Sequence, residues 1–365
     1  MKSNIIKLPP NRVRRNYLGG LLLDRLSGKV DPADGNQPEE WIASTIEARN
    51  PGLDVVPNEG LAYTINQGEA VFLKDLFAQD PEFYLGKNHH DKLGNDLGFL
   101  AKLLDSSMRL HLQAHPSAAF AQEHLNSRWG KLETYYILGT RPGYEGYIWL
   151  GFQNPPSKQE WERIVIDQDL EAMHKCFEKI PVEQGQVWVI PGGMPHAIGE
   201  GLLVMEVMEP TDLVVRCEFE RNGIIVPPEA RFMGMEPKAS LEIFDFTKYS
   251  VQDVKNKCIV QPTALEKSDQ GIHELLIGEK QTECFNIHRI ITSNSYDYQK
   301  SAIIHIGIVS KGQGAITIEN ETVSLQEGST FLIPAAVKSI PIISTSDNDL
   351  EILFCTPGYD LERFR

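Results

Sequence analysis

The run from Gly185 to His196, GQVWVIPGGMPH, constrains the fold of this chain more than any other stretch. An alternating apolar strand (Val187, Val189) runs into a Pro/Gly turn, and those residues are backbone requirements arriving together with an imidazole, His196. Such a turn aims the imidazole back into a barrel. Upstream, LHLQAHP places Gln113 and His115 two residues apart. Successive strand side chains alternate faces, so residues two apart share one face, roughly 6.5 Å from each other. His111 has the same parity and faces the same cavity. Glu133, in GKLETYYIL, completes a set of two imidazoles, a carboxylate and an amide.

Three or four protein ligands with a position left open mark a catalytic rather than a structural zinc site. The set lacks a thiolate and suits Zn2+; Mn, Fe, Co and Ni accept the same donors. Metal ligation is the expected role of Gln113, His115, Glu133 and His196.

The surrounding pattern is that of short strands separated by Gly/Pro turns, as in an all-β barrel or sandwich. Strand segments are expected at 108–115, 133–139, 144–152, 186–191, 201–208 and 212–220. A few strands are expected within residues 1–60, with Trp41 as a core anchor. From Glu69 to about Leu104 apolar residues recur at three- and four-residue steps (Ala70, Leu73, Leu76, Phe77; Leu97, Leu100, Leu103, Leu104), which predicts helix, with the HHDKLGND segment as a solvated loop. Further helix is expected at 157–178 and near 239–247.

After the proline-rich 226–237 the strand pattern resumes, and SLQEGSTFLIPAAVKS repeats the earlier turn. Gly328 and Pro334 match Gly185 and Pro191, while Ala336 and Ser339 stand where Gly193 and His196 stood. This reads as a second, duplicated barrel without a metal site. The expected domains are 1–235, carrying the metal and the helical segment 69–104, and 236–365.

With 365 residues and 41% hydrophobic content, the chain is long enough for two cores. Its net charge of -15 argues against nucleic acid as a partner, because phosphate backbones demand clustered Lys and Arg. The five cysteines are scattered and never in CxxC, as expected of buried thiols in a reducing compartment. No stretch approaches the ~18 apolar residues of a membrane span. The expectation is a soluble cytoplasmic protein, monomer or homodimer, without a membrane partner.

At these residues the chain resembles the class I mannose-6-phosphate isomerase family, bicupins, and the resemblance implies one zinc per chain. The family's Gln-x-His-Pro is similar to Gln113 to Pro116, its Gly-Lys-x-Glu to Gly130 to Glu133, and its Ile-Pro-Ala-Gly-x-x-His-Ala-Ile-Gly-x-Gly to IPGGMPHAIGEG at 190–201. A Glu, an Asp six residues later and an Arg four after that match Glu206, Asp212 and Arg216. Weaker echoes lie at Gly19-Gly20, at Glu39 to Trp41 and at Lys102 to Leu104. The fold implied is mainly β with some α: two cupin (β-barrel or jelly-roll) domains plus a short helical segment. Some positions depart from the family. His111 replaces a Ser that helps hold phosphate, Met208 replaces a common Gln, and Val215 to Phe219 replaces Tyr-Arg-x-Tyr-Asp.

The implied activity interconverts mannose 6-phosphate and fructose 6-phosphate through an enediol. A base must reach the C–H proton, and the developing oxyanion needs a cation. Glu206, Asp212 and Lys131 are the base candidates, with Arg216 beside the oxyanion and His111 and Lys102 as substrate contacts. Glu206 alternatively forms a buried bridge with Arg216. The expected partner is a small sugar or sugar phosphate. Competing readings are a metal cupin for another or unphosphorylated sugar, a cupin oxygenase, and a non-catalytic sugar-binding module.

Overall fold

The computed structural model describes residues 3–66, 68–346 and 348–358. Its strands form two sandwiches, each a seven-stranded sheet facing a smaller one. In the first, the large sheet runs Ile259–Val260, Val187–Ile190, Glu133–Thr140, Leu202–Met208, Leu100–Asp105, Glu39–Ile42, Arg12–Val13. It faces Ile180–Pro181, Tyr147–Leu150, His196–Ile198, Gln113–Ala114 and Val215–Arg216. The second large sheet follows the same plan: Ile6–Lys7, Thr330–Ile333, His305–Lys311, Leu350–Pro357, Phe285–Thr292, Gly271–Ile277, Thr263–Ser268. The two large sheets therefore match strand for strand, as the duplicated turn predicts.

Strand alternation explains why the core has layers. Val187 and Val189 pack with Ile306, Ile308 and Leu332 in a cluster between the two large sheets. Trp188 and Ile190, on the opposite face of the same strand, pack inside the first barrel with Tyr135, Ile148 and Ile198. A strand covered on both faces reads as a continuous apolar run. That is also why the helical reading of 97–104 fails. Leu100–Asp105 is a strand buried at all six positions, and its leucines show no true helical period. Glu69–Phe72 is a hairpin strand paired with Tyr63–Asn66. Helix is confined to Leu73–Gln79, Pro81–Tyr84 and Lys87–Leu93. The expected solvated loop at 89–96 begins inside the last of these, with His89 buried and hydrogen-bonded to the carbonyl of Asp96.

Two short edge strands also cross the expected boundary at 235. Ile6–Lys7 pairs with Leu332 and Phe331, and Ile259–Val260 pairs with Trp188 and Val187. Both additions cover backbone groups that an open edge would leave unpaired. The helix Val251–Cys258, absent from the sequence reading, starts with a reciprocal Ser250/Asp253 cap and packs Val254 and Cys258 into the first barrel. Of 108–115 only Gln113–Ala114 is strand, and of 212–220 only Val215–Arg216 and the first residue of Glu220–Arg221. The 157–178 region holds two helices, Lys158–Ile166 and Leu170–His174.

The two turns share their backbone conformation: Gly185 has φ 84° and Gly328 has φ 82°. Beyond them the halves part by one residue. His196 and Ile198 face the first barrel's interior, whereas Ile340 and Ile342 face the second's. Ser339 points outward, its hydroxyl bonded to the exposed carboxylate of Asp297. The inward place of His196 is therefore taken by Ile340 rather than Ser339. No helix among the described residues is long and apolar enough to cross a membrane. All five cysteines are buried and free.

Candidate metal centre

Three sequence motifs meet because two glycines let them. A Cβ on Gly192 would lie 2.7 Å from Ser117 Cα, and one on Gly130 would lie 2.6 Å from the Pro116 carbonyl oxygen. The segment after His115 thus lies between the turn carrying His196 and the segment carrying Glu133. Backbone bonds fix the contact: Gly193 N–H donates to the His115 carbonyl at 2.7 Å and Lys131 N–H to the Pro116 carbonyl at 3.1 Å. Register completes the cage, with His196 across from Gln113 and Glu133 across from Ile190.

His115 Nδ1 donates to the Leu213 carbonyl at 2.8 Å and His196 Nδ1 to the Met194 carbonyl at 2.9 Å. Those bonds fix the tautomers and leave an Nε2 lone pair on each ring facing inward. His115 Nε2 lies 3.0 Å from Glu133 Oε1, and His196 Nε2 lies 3.5 Å from Glu133 Oε2. His115 Nε2 has no hydrogen-bond donor of its own to meet. Two lone pairs and a carboxylate facing one another in a buried space repel unless a cation joins them. The ligand atoms of His115, Glu133 and His196 lie within 4.8 Å of one another, which fits one ion. The Gln113 amide reaches to 3.4 Å from His196 Nε2, and turning that amide over presents its oxygen to the same point.

Burial pushes His115 down to about 4, against the pull of Glu133, so its imidazole is neutral and available as a ligand at neutral pH. Burial alone would raise Glu133, but the neighbouring Lys131 ammonium acts against it and favours the ionised carboxylate. Lys131 Nζ stands 3.1 Å from Glu133 Oε1, and the Tyr135 hydroxyl donates to Oε2 at 2.8 Å.

Beside the cage runs a cleft lined by Arg15, Tyr17, Glu39, Lys102, His111, Glu206 and Arg216. Lys102 Nζ bridges two buried carboxylates, Glu206 at 2.7 Å and Glu39 at 3.6 Å. Burial raises Glu206 to about 7, reinforced by the nearby Glu133 charge and opposed by Lys102. Burial would lower Lys102, but Glu206 and Glu39 hold it above its ordinary value. Glu39 accepts from the Tyr17 hydroxyl at 2.7 Å and the Trp41 indole at 2.8 Å, and Arg15 Nε lies 3.3 Å away.

The bridge of Glu206 to Arg216 does not form. Lys102 is directly across the strand pair from Glu206, whereas Arg216 donates to the Ala230 carbonyl at 2.8 Å. Arg216 still lines the cleft, its guanidinium lowered to about 10 by burial and by Arg15. Asp212 lies outside the cleft, exposed at the rim and 4.0 Å from Arg15. His111 does face the cavity, with an Nε2 that has no partner, and burial lowers its ring to about 4.

Arg15, Tyr17 and Tyr135 escaped the sequence reading, and Glu39 entered it only as an echo beside Trp41. A charged residue two positions before a buried aromatic and Gly-Gly was the available signal for Arg15.

Fold and cage together define a cupin-type protein of two barrels, with a buried His/Glu group in the first that could hold a metal ion. No family model matches the chain. It is 26% identical over 348 residues to a mannose-6-phosphate isomerase of Streptococcus mutans, covering 94% of this chain and 95% of that one. The crystal structure of the mannose 6-phosphate isomerase from Bacillus subtilis superposes with a TM-score of 0.70 at 19% identity, covering 97% of this chain and 99% of that one. A mannose 6-phosphate isomerase bound with zinc and yttrium gives 0.72 at 13% identity, covering 97% and 100%. The resemblance read from the motifs is thus borne out over nearly the whole length: the chain is similar, end to end, to proteins named mannose-6-phosphate isomerase.

Proposed function

We propose that this chain is an aldose–ketose isomerase interconverting mannose 6-phosphate and fructose 6-phosphate, with one zinc held by Gln113, His115, Glu133 and His196. The convergence of two imidazole lone pairs and the Glu133 carboxylate at the inner end of a polar cleft carries this reading. A divalent ion there supplies Lewis acidity toward a sugar oxygen, worth several kcal/mol of charge stabilisation.

The protein's own groups then have separable tasks. Glu206, raised by burial to about 7, is poised to take and return the C–H proton near neutral pH, with Lys102 at 2.7 Å to hold its charge. Arg216 sets a fixed cation along the cleft wall where an enediolate oxygen develops. Lys131 and Tyr135 orient the Glu133 carboxylate rather than touch the sugar. His111 offers its unpartnered Nε2 to a phosphoryl or hydroxyl oxygen in the place where the family's serine acts. Asp212, being exposed, is left out of the reacting set.

We keep the two-barrel organisation and place the boundary after Val260 rather than at 235, since residues 251–260 complete the first barrel. The free, buried thiols support a reducing cytoplasm.

Metal analysis and a coupled isomerase assay test the reading together. We expect about one zinc per chain, conversion of mannose 6-phosphate, its loss on chelation and its return with Zn2+. Metal-replete protein that turns over free mannose but not mannose 6-phosphate would refute the phosphorylated substrate. Oxygen consumption without isomerisation would refute the reaction.

A further inference from the structure

We propose that a small organic cation with an apolar body binds in the cavity between the two barrels, its ammonium group held by Glu40. The cavity, open to solvent on one side, has a volume of about 770 Å³ where the N-terminal arm and the helix Leu21–Leu26 cross the packed sheets. Ile6, Leu8, Leu23, Leu26, Leu76 and Leu103 supply its apolar wall. This volume lies within the range that small-molecule sites occupy.

Glu40 lines this space with only 7% of its surface exposed, and its carboxylate makes no hydrogen bond or ion pair among the described residues. Arg12, across the strand pair from it, is committed to Asp24 at 2.9 Å and to the carbonyls of Gln37 and Gly20. Lys7, which also lines the cavity, is exposed and forms no ion pair among the described residues. A buried carboxylate without a counter-charge is costly, and natural interiors seldom keep one.

The duplicated barrel shows what is missing. Glu40 lies across from Leu103, and the matching strand pair sets Glu274 across from Arg289. The Arg289 guanidinium meets the Glu274 carboxylate at 2.6 Å. Where the second barrel builds its own cation, the first has a leucine and an open cavity. An ionised carboxylate only accepts hydrogen bonds, so the ligand group it selects is a donor, and a charged one is strongest. Burial, opposed only by Arg12, pushes the Glu40 carboxyl up to about 7, and an ammonium would supply the absent charge. The leucine wall selects a ligand whose remainder is apolar.

Calorimetric titration of the full-length protein with 2-phenylethylammonium chloride tests this. Saturable binding is expected, with 2-phenylethanol, its neutral counterpart, at least about tenfold weaker. Glu40→Gln should weaken the cation by about tenfold or more while leaving the neutral probe unchanged. Leu103→Arg should fill the gap, pair with Glu40 and abolish binding. Circular dichroism and thermal melting check that both variants fold, and Glu40→Gln is expected to melt no lower than the parent. No saturable heat at millimolar probe, equal affinity for the alcohol, or undiminished binding by Glu40→Gln would each overturn the proposal.

Discussion

The two barrels have one backbone plan and opposite interiors. Glu133 lies across from Ile190, and His305 lies across from Ile333, each isoleucine just before the proline of its turn. Lys102 faces Glu206, and His288 faces Phe354 at the same place in the second sheet. The chain of charges Glu39–Lys102–Glu206 is thus replaced by His273, His288 and Phe354. Gln113, across from inward-facing His196, is replaced by Tyr298, across from inward-facing Ile340.

Rings close the second interior. Tyr298 stacks on Phe354 with centroids 5.1 Å apart, and the Tyr298 hydroxyl meets His305 Nε2 at 3.2 Å. Gly307 takes the register place of Tyr135, and a Cβ there would lie 2.2 Å from the Phe331 ring. Filled with aromatic and aliphatic side chains, the second barrel stabilises by burial. The first gives up that burial to hold carboxylates and imidazoles in place for a cation. A few inward positions decide which outcome a shared frame adopts.

The sharpest way to break this contrast is to truncate the same inward position in both halves. His196→Ala should lose its metal and lower kcat/KM on the order of a thousandfold. Ile340→Ala, opening a cavity in a packed core, should cost about 2–5 kcal/mol of stability yet keep the zinc and kcat. Metal analysis, steady-state kinetics and urea titration separate them. Loss of zinc and turnover in folded Ile340→Ala protein would end the division of labour.

The charge chain offers a second test. Lys102→Met leaves Glu39 and Glu206 buried without their shared cation, and about 3–5 kcal/mol of stability should be lost. Adding Glu206→Gln to Lys102→Met should restore a large part. A loss below about 1 kcal/mol, the size of an exposed pair, would mean that water reaches these carboxylates freely.

The smallest effect is in the pH dependence of the second barrel. Burial first, then Lys300, hold His305 well below its ordinary value, so the folded ring stays neutral. The unfolded ring takes a proton below about pH 6.5. Stability from this group is therefore complete above 6.5 and falls on acidification, by at most about 1.4 kcal/mol per pH unit. In metal-loaded protein, urea midpoints from pH 7 to 5 should fall less steeply in His305→Gln. An unchanged slope would show that His305 is not kept neutral by its surroundings.

The cage was legible because its turns are written in backbone chemistry. Gly185, Pro191 and Gly193 have few conformations to choose from, and Gln113 with His115 needed only strand parity. The stretch 97–104 misled for the complementary reason: Leu100–Asp105 is covered on both faces, so its pattern carries no period. The slip that turns Ser339 outward left no mark in the spacing, since Gly328 and Pro334 repeat the first turn position for position. Nor did the partner of Glu206, because Lys102 lies 104 positions away in sequence and meets it only through sheet register.

The sequence by itself pointed to a strand-rich frame and to the side chains proposed as the cage, of which His115, Glu133 and His196 come together in the fold. Those depend on local backbone preference and on alternation along a strand. Only the tertiary structure decided which charges pair in the cleft, which edge strands change sides, and that Glu40 lines a cavity where no described cation forms an ion pair with it. Pairing across a sheet is set by what the chain brings together from far apart, and a side chain's neighbour there is not its neighbour in sequence.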